Sequence, residues 1–137
     1  MNEINKNYNV TEIEGFLYTL LYNKVGKSTY LTSPPIKLDA VKDTNFIVIS
    51  LPTSLRDYDA YGEAKVRIEL FAKSNERGLQ DNVTLRDMQN KLITELNTFN
   101  AIKHSKYILQ PSFNTFMAYD STLNYHININ FFNLIIK

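Results

Sequence analysis

Phe46-Ile47-Val48-Ile49-Ser50-Leu51 and Glu63-Ala64-Lys65-Val66-Arg67-Ile68-Glu69-Leu70-Phe71-Ala72-Lys73 decide the fold, together with the run that follows them to Phe99. The first is a short apolar run closed by Pro52. It is apolar on both faces, as in a strand covered on two sides. The second alternates. Ala64, Val66, Ile68, Leu70 and Ala72 point one way, and Glu63, Lys65, Arg67, Glu69 and Lys73 the other, with Phe71 the one break on the polar side. A period of two over this length predicts a half-buried strand. After a polar gap, Leu85, Met88, Leu92, Leu96 and Phe99 recur at helical spacing, with Asp81 or Asn82 placed to cap the helix. A hairpin closed by the loop Arg56 to Gly62 and followed by an amphipathic helix is therefore the nucleus.

Upstream, Val10, Ile13, Phe16, Leu17, Leu20 and Leu21 make one apolar stripe of an opening helix. Gly15 inside it costs about 1 kcal/mol against Ala, which suggests a close approach to the sheet. Gly26 suits a positive φ at the helix exit. Ser33-Pro34-Pro35 bars a central strand from the next stretch, leaving short strands or an edge segment at 28–32 and 36–41. Downstream, Tyr107 to Gln110 and Phe113 to Tyr119 are strand-like on either side of Pro111, and Tyr125 to Ile136 is the closing strand. Tyr125, Ile127, Ile129 and Phe131 alternate with polar residues, then Phe132, Leu134 and Ile136 take the opposite parity. Either a bulge sits near 131–132 or this end is apolar on both sides. An apolar end reaching past its own sheet would be an adhesive edge.

The chain of 137 residues reads as one α+β domain. We expect a four- to five-stranded, mostly antiparallel sheet packed by two helices, in the order α-β-β-α-β-β, with residues 1–8 as a polar arm. Lys and Arg total 15 against 14 Asp and Glu, a net charge of +1. That balance argues against a broad phosphate-neutralising surface. The absence of Cys excludes disulfides, thiolate metal sites and a Cys nucleophile. Met1 to Asn9 lacks the apolar core of a signal peptide. No run approaches the roughly 20 apolar residues of a membrane helix, so no membrane partner is expected.

Tests for chemistry return little. Val25-Gly26-Lys27-Ser28-Thr29 has the tail of a P-loop, but Leu21 stands where its first Gly belongs, and a helix precedes it where a strand should. Asp57 to Gly62 opens like a calcium loop, yet Tyr61 takes a ligand position and Ile68 stands where the bidentate Glu should be. His104 and His126 are the only histidines and lack metal-pair spacing. No catalytic residue, cofactor site or metal site is expected, and the chain reads as a non-enzyme.

Three features taken together carry a resemblance. One is the amphipathic opening helix with Ser33-Pro34-Pro35 and the apolar strand Phe46 to Leu51. Another is the alternating strand Lys65-Val66-Arg67-Ile68-Glu69-Leu70-Phe71-Ala72 before the second helix. The last is the apolar closing strand Tyr125 to Ile136. In this order they resemble the tail-completion or tail-terminator proteins of tailed bacteriophages. The family's loop region before the hairpin is usually shorter and Gly-rich, whereas this chain is rich in Asn and Lys.

The resemblance implies a virion structural protein at the neck or head-proximal tail end, present in the host cytoplasm during assembly. It would form a ring with itself, a hexamer or dodecamer, that stops tail growth and joins tail to head. Its partners would be other neck, portal or tail-tube proteins, with DNA only passing through a channel. Candidate contact residues are Pro34 and Pro35, then Arg56, Asp57, Tyr58, Asp59 and Tyr61 in the hairpin loop. Lys65 and Arg67 on the strand's outer face join them, as do Phe132, Leu134 and Ile136 at the end of the chain. Deleting Asn133 to Lys137 should then leave a folded subunit that cannot assemble. The alternative is a small monomeric binding or adaptor protein.

Overall fold

The computed structural model describes residues 10–39, 42–51, 56–57, 62–74, 80–101 and 106–137. Two helices and six strands follow one another as α1 (Val10–Leu21), β1 (Ser28–Leu31), β2 (Asn45–Ser50), β3 (Arg56–Asp57), β4 (Gly62–Lys73), α2 (Asn82–Asn100), β5 (Tyr107–Asp120) and β6 (Tyr125–Ile136). The class is α+β. The expected order gains β1 and β3, and the arm at 1–8 lies outside the described residues.

All six strands join one sheet, in the order β1-β2-β4-β6-β5, with β3 beside the start of β4. The hairpin nucleus is β2 against β4, antiparallel, from Asn45↔Ala72 to Ser50↔Arg67. Part of the expected loop is ordered as β3, where Arg56 faces Glu63 and Asp57 faces Gly62. The sheet is mixed, because β1 runs parallel to β2. A parallel pair needs a long crossover, and the Pro-bearing stretch supplies it.

Both helices cover one face. Ile13, Leu17 and Leu21 of α1 and Leu85, Met88, Leu92 and Leu96 of α2 are buried against Ala64, Val66, Ile68, Leu70 and Ala72 of β4. Full burial of each large aliphatic side chain is worth about 1.5–3 kcal/mol, so this layer dominates stability. Asp81 caps α2 by accepting from the Thr84 N–H at 3.0 Å and the Thr84 hydroxyl at 2.7 Å. These bonds outweigh its desolvation and hold its carboxyl below the usual range.

Two glycine expectations are corrected. A Cβ at Gly15 would meet nothing within 4 Å, so this glycine permits no close approach. A Cβ at Gly26 would stand 3.1 Å from the Phe46 Cα and 3.3 Å from the Met88 Cε. Gly26 is needed for space, and the left-handed residue at the helix exit is Asn23, with φ of 56°.

The break in β4's alternation also has a cause. Phe71 points away from the helices and stacks on Phe46, centroids 4.5 Å apart, at the heart of a second cluster with Val48, Tyr125 and Ile127. Leu38 from the crossover and Tyr30 of β1 pack against it. Asp43, also in the crossover, anchors that cover. Its carboxylate accepts from the Tyr30 hydroxyl at 2.5 Å and from the Asp39 N–H at 2.7 Å, and its carbonyl accepts from the Tyr125 hydroxyl.

The choice left open in β6 is resolved. Its pairing with β4 is unbroken from Gly62↔Ile136 to Lys73↔Tyr125, so there is no bulge in this strand. One parity serves the second cluster through Tyr125 and Ile127. The other serves the helix side through Phe132, Leu134 and Ile136. The irregularity is in β5, whose register against β6 shifts between Pro111 and Thr115.

Candidate subunit interface

The face of the sheet opposite the two described helices is the candidate site. Register places Ser50 of β2, Glu63, Lys65, Arg67 and Glu69 of β4, Ile129, Phe131, Asn133 and Ile135 of β6, and Ile108 and Phe116 of β5 on it. The crossover and the Phe46 cluster cover one end of this face. Toward the other end it is a row of charges beside apolar side chains that are half-buried. Phe116 is half exposed and meets Phe131 edge to face at 6.0 Å.

The charged row is organised within its own sheet. Lys65 Nζ donates to Asn133 Oδ1 at 2.6 Å, and Arg67 Nε donates to Ser50 Oγ at 3.1 Å. Arg67 Nε also lies 3.2 Å from Glu69 Oε1. Burial raises the Glu69 carboxyl above its ordinary value, and the Arg67 guanidinium offsets this only in part. Lys65 and Arg67 lie half-buried on the helix-free face, the outer face of the strand that alternation assigns them.

The other expected contact residues divide. Pro34 and Pro35 are half-buried in the irregular crossover, next to a fully exposed Ile36. Arg56 and Asp57 form β3 at the end of β4. Tyr58, Asp59 and Tyr61 lie outside the described residues. Phe132, Leu134 and Ile136 require a correction. They are 4%, 0% and 1% exposed and belong to the helix-side core. The C-terminal end does not overhang its sheet, because Ile136 pairs with Gly62 on one side and Tyr107 on the other. Those three side chains offer no adhesive edge.

The structure also places surfaces that sequence reasoning missed. Phe116, Met117 and Tyr119 of β5 are 52%, 65% and 50% exposed. Their alternation spreads them over both faces of one edge strand, a feature that needs the strand order before it can be seen.

Among the described residues, nothing comparable gathers for catalysis. Ser74 Oγ and His126 Nδ1 are 3.0 Å apart beside a cleft of about 610 Å³ that Lys27, Lys73, Asp81 and Thr84 also line. The imidazole packs against the Tyr119 ring, centroids 4.6 Å apart, and an aromatic face does not hold a tautomer as a carboxylate does. The P-loop-like stretch runs from the turn after α1 into β1, with Ser28 Oγ turned to the Lys42 carbonyl. Among the described residues, no three His, Cys, Asp or Glu side chains gather as metal ligands. His104 lies outside those residues. No described helix is long and apolar enough to cross a membrane. No protein-family model and no curated protein matches the chain.

Proposed function

We propose that this chain is a structural subunit of a tailed-bacteriophage particle, a tail-terminator-like protein. It assembles into a ring at the neck or head-proximal tail end, stops tube growth and joins tail to head. The observation that carries this reading is the asymmetry of the sheet. One face is sealed by two helices, and the other keeps Ile108, Ile129, Phe131, Ile135 and Phe116 beside the Lys65–Arg67–Glu69 row with neither described helix over them. Burying such a face against copies of itself or a neighbouring ring is a favourable use of that apolar area. The element order that motivates the resemblance supports the same class.

The test is direct. The purified chain is mixed with tail-tube subunits of the same virus and imaged by electron microscopy. Rings of this protein seated at one end of tubes of limited length are the expected result. Tubes that grow without limit, with the chain absent from them and from purified particles, would overturn the proposal.

A further inference from the structure

The free edge of the sheet is defended along one half and open along the other. Strand β5 is the terminal strand, paired only with β6 among the described strands. At Leu109 the edge is closed from inside the molecule. Asn100, at the end of α2, donates from Nδ2 to the Leu109 carbonyl at 2.6 Å, and the Leu109 N–H donates to Asn100 Oδ1 at 3.0 Å. One side-chain amide there replaces a neighbouring strand. Pro111 has no N–H, and the register shift after it interrupts the edge further. Beyond the shift, from Thr115 to Asp120, pairing with β6 resumes, and no comparable guard is present among the described residues.

The direction of the free groups follows from the same bonds. Because Asn100 takes both backbone groups of Leu109, those groups point away from β6 while the side chain stays in the core, and its pair with Leu134 is of the non-hydrogen-bonded kind. The β5–β6 pairing keeps the same parity on β6 through Asn130, Asn128 and His126, whose partners are Thr115, Met117 and Tyr119. Those three residues therefore present their N–H and C=O groups to the outside. Between Thr115 and Tyr119 there is no charged residue, and three of the exposed large hydrophobic side chains of the described chain stand there.

We propose that residues Thr115 to Tyr119 of β5 pair antiparallel with the same residues of a second copy, about a two-fold axis at Met117. The run fits itself. This register sets Thr115 opposite Tyr119 and Met117 opposite Met117, each a residue whose backbone groups face outward. Side chains of like face meet, with Phe116 opposite Ala118, and no like charges are opposed. The contact is isologous, whereas a single ring is built from heterologous contacts, so this inference does not rest on the ring.

The test uses the full-length chain. Sedimentation equilibrium of the unaltered protein at micromolar concentration should report association in even numbers. The variant Met117→Lys, which alters one exposed side chain on the opposite parity from the helix-free face and adds the charge that protects natural edges, should halve that mass with an unchanged melting temperature. A second variant, Met117→Cys, places the only thiol of the chain at the axis. A short bis-maleimide should link it into a covalent dimer, and Thr19→Cys on α1 should give none. A monomeric wild type, a lysine variant of unaltered mass, or a Met117→Cys protein that does not link would each overturn the proposal. The latter two leave the ring reading intact.

Discussion

Glu69 is the residue at which the helix-free face can be questioned most sharply. It stands on β4 between Val48 and Ile129, with a side chain only 17% exposed. Burial raises its pKa from the ordinary 4.5, and Arg67 beside it draws it back only partly. A raised carboxyl pKa means that folding favours the protonated form. The favourable contribution is complete below the unfolded-state pKa and is lost as pH rises through the folded one. At neutral pH the charged Glu69 therefore works against stability. Glu69→Gln should raise the melting temperature at pH 7 and leave it nearly unchanged at pH 3. A lower melting temperature at pH 7 would mean that the Arg67 ion pair outweighs desolvation. If a second subunit covers this face, the same substitution should also strengthen that contact.

At the scale of elements, α1 and its exit make a paired prediction. Gly15 is exposed in mid-helix with open space around its Cα, whereas Gly26 is pressed against Phe46 and Met88. Gly15→Ala should stabilise the protein by about 1 kcal/mol, the helix-propensity difference. Gly26→Ala should destabilise it, because the Phe46 backbone cannot yield without disturbing β2. Denaturant titration of both variants checks the pair, and a loss from Gly15→Ala would contradict the packing of α1. The elements differ in how far they are legible in sequence. Strand β4 reads plainly because its outer face is charged wherever no cluster covers it, and Phe71 breaks the pattern where one does. Helix α2 reads from Leu85 to Phe99 because its stripe meets a single apolar layer. Strand β6 is ambiguous because it serves two cores in turn, and parity alone cannot separate that from a bulge. Strand β5 is obscured by the extra residues after Pro111, and the closing of its edge by Asn100 is a contact that no local spacing encodes.

For the whole molecule, the C-terminal residues change role. Sequence reasoning makes Phe132, Leu134 and Ile136 an adhesive tip, but they are core. Removing Asn133 to Lys137 should therefore unfold the subunit or leave it molten, because it deletes Leu134 and Ile136 and unpairs the end of β4. Circular dichroism of the truncated chain checks this, and a cooperative melt near that of the full chain would contradict it. The contact surfaces proposed above lie instead on the helix-free face and along the open half of β5. Neither is visible before the strands are ordered, since each is assembled from residues far apart in the chain. Lys65 and Arg67 were legible as outward-facing from alternation alone. What alternation cannot reveal is that the helices leave this face uncovered.

The central claim is that this chain is built to be covered by other copies of itself. The most direct measurement is the mass of the unaltered protein by sedimentation equilibrium across the micromolar range, alone and with tail-tube subunits of the same virus. A closed oligomer whose mass is independent of concentration above its threshold is the predicted result. A monomer at every concentration, unchanged when the tail-tube subunits are present, would contradict it.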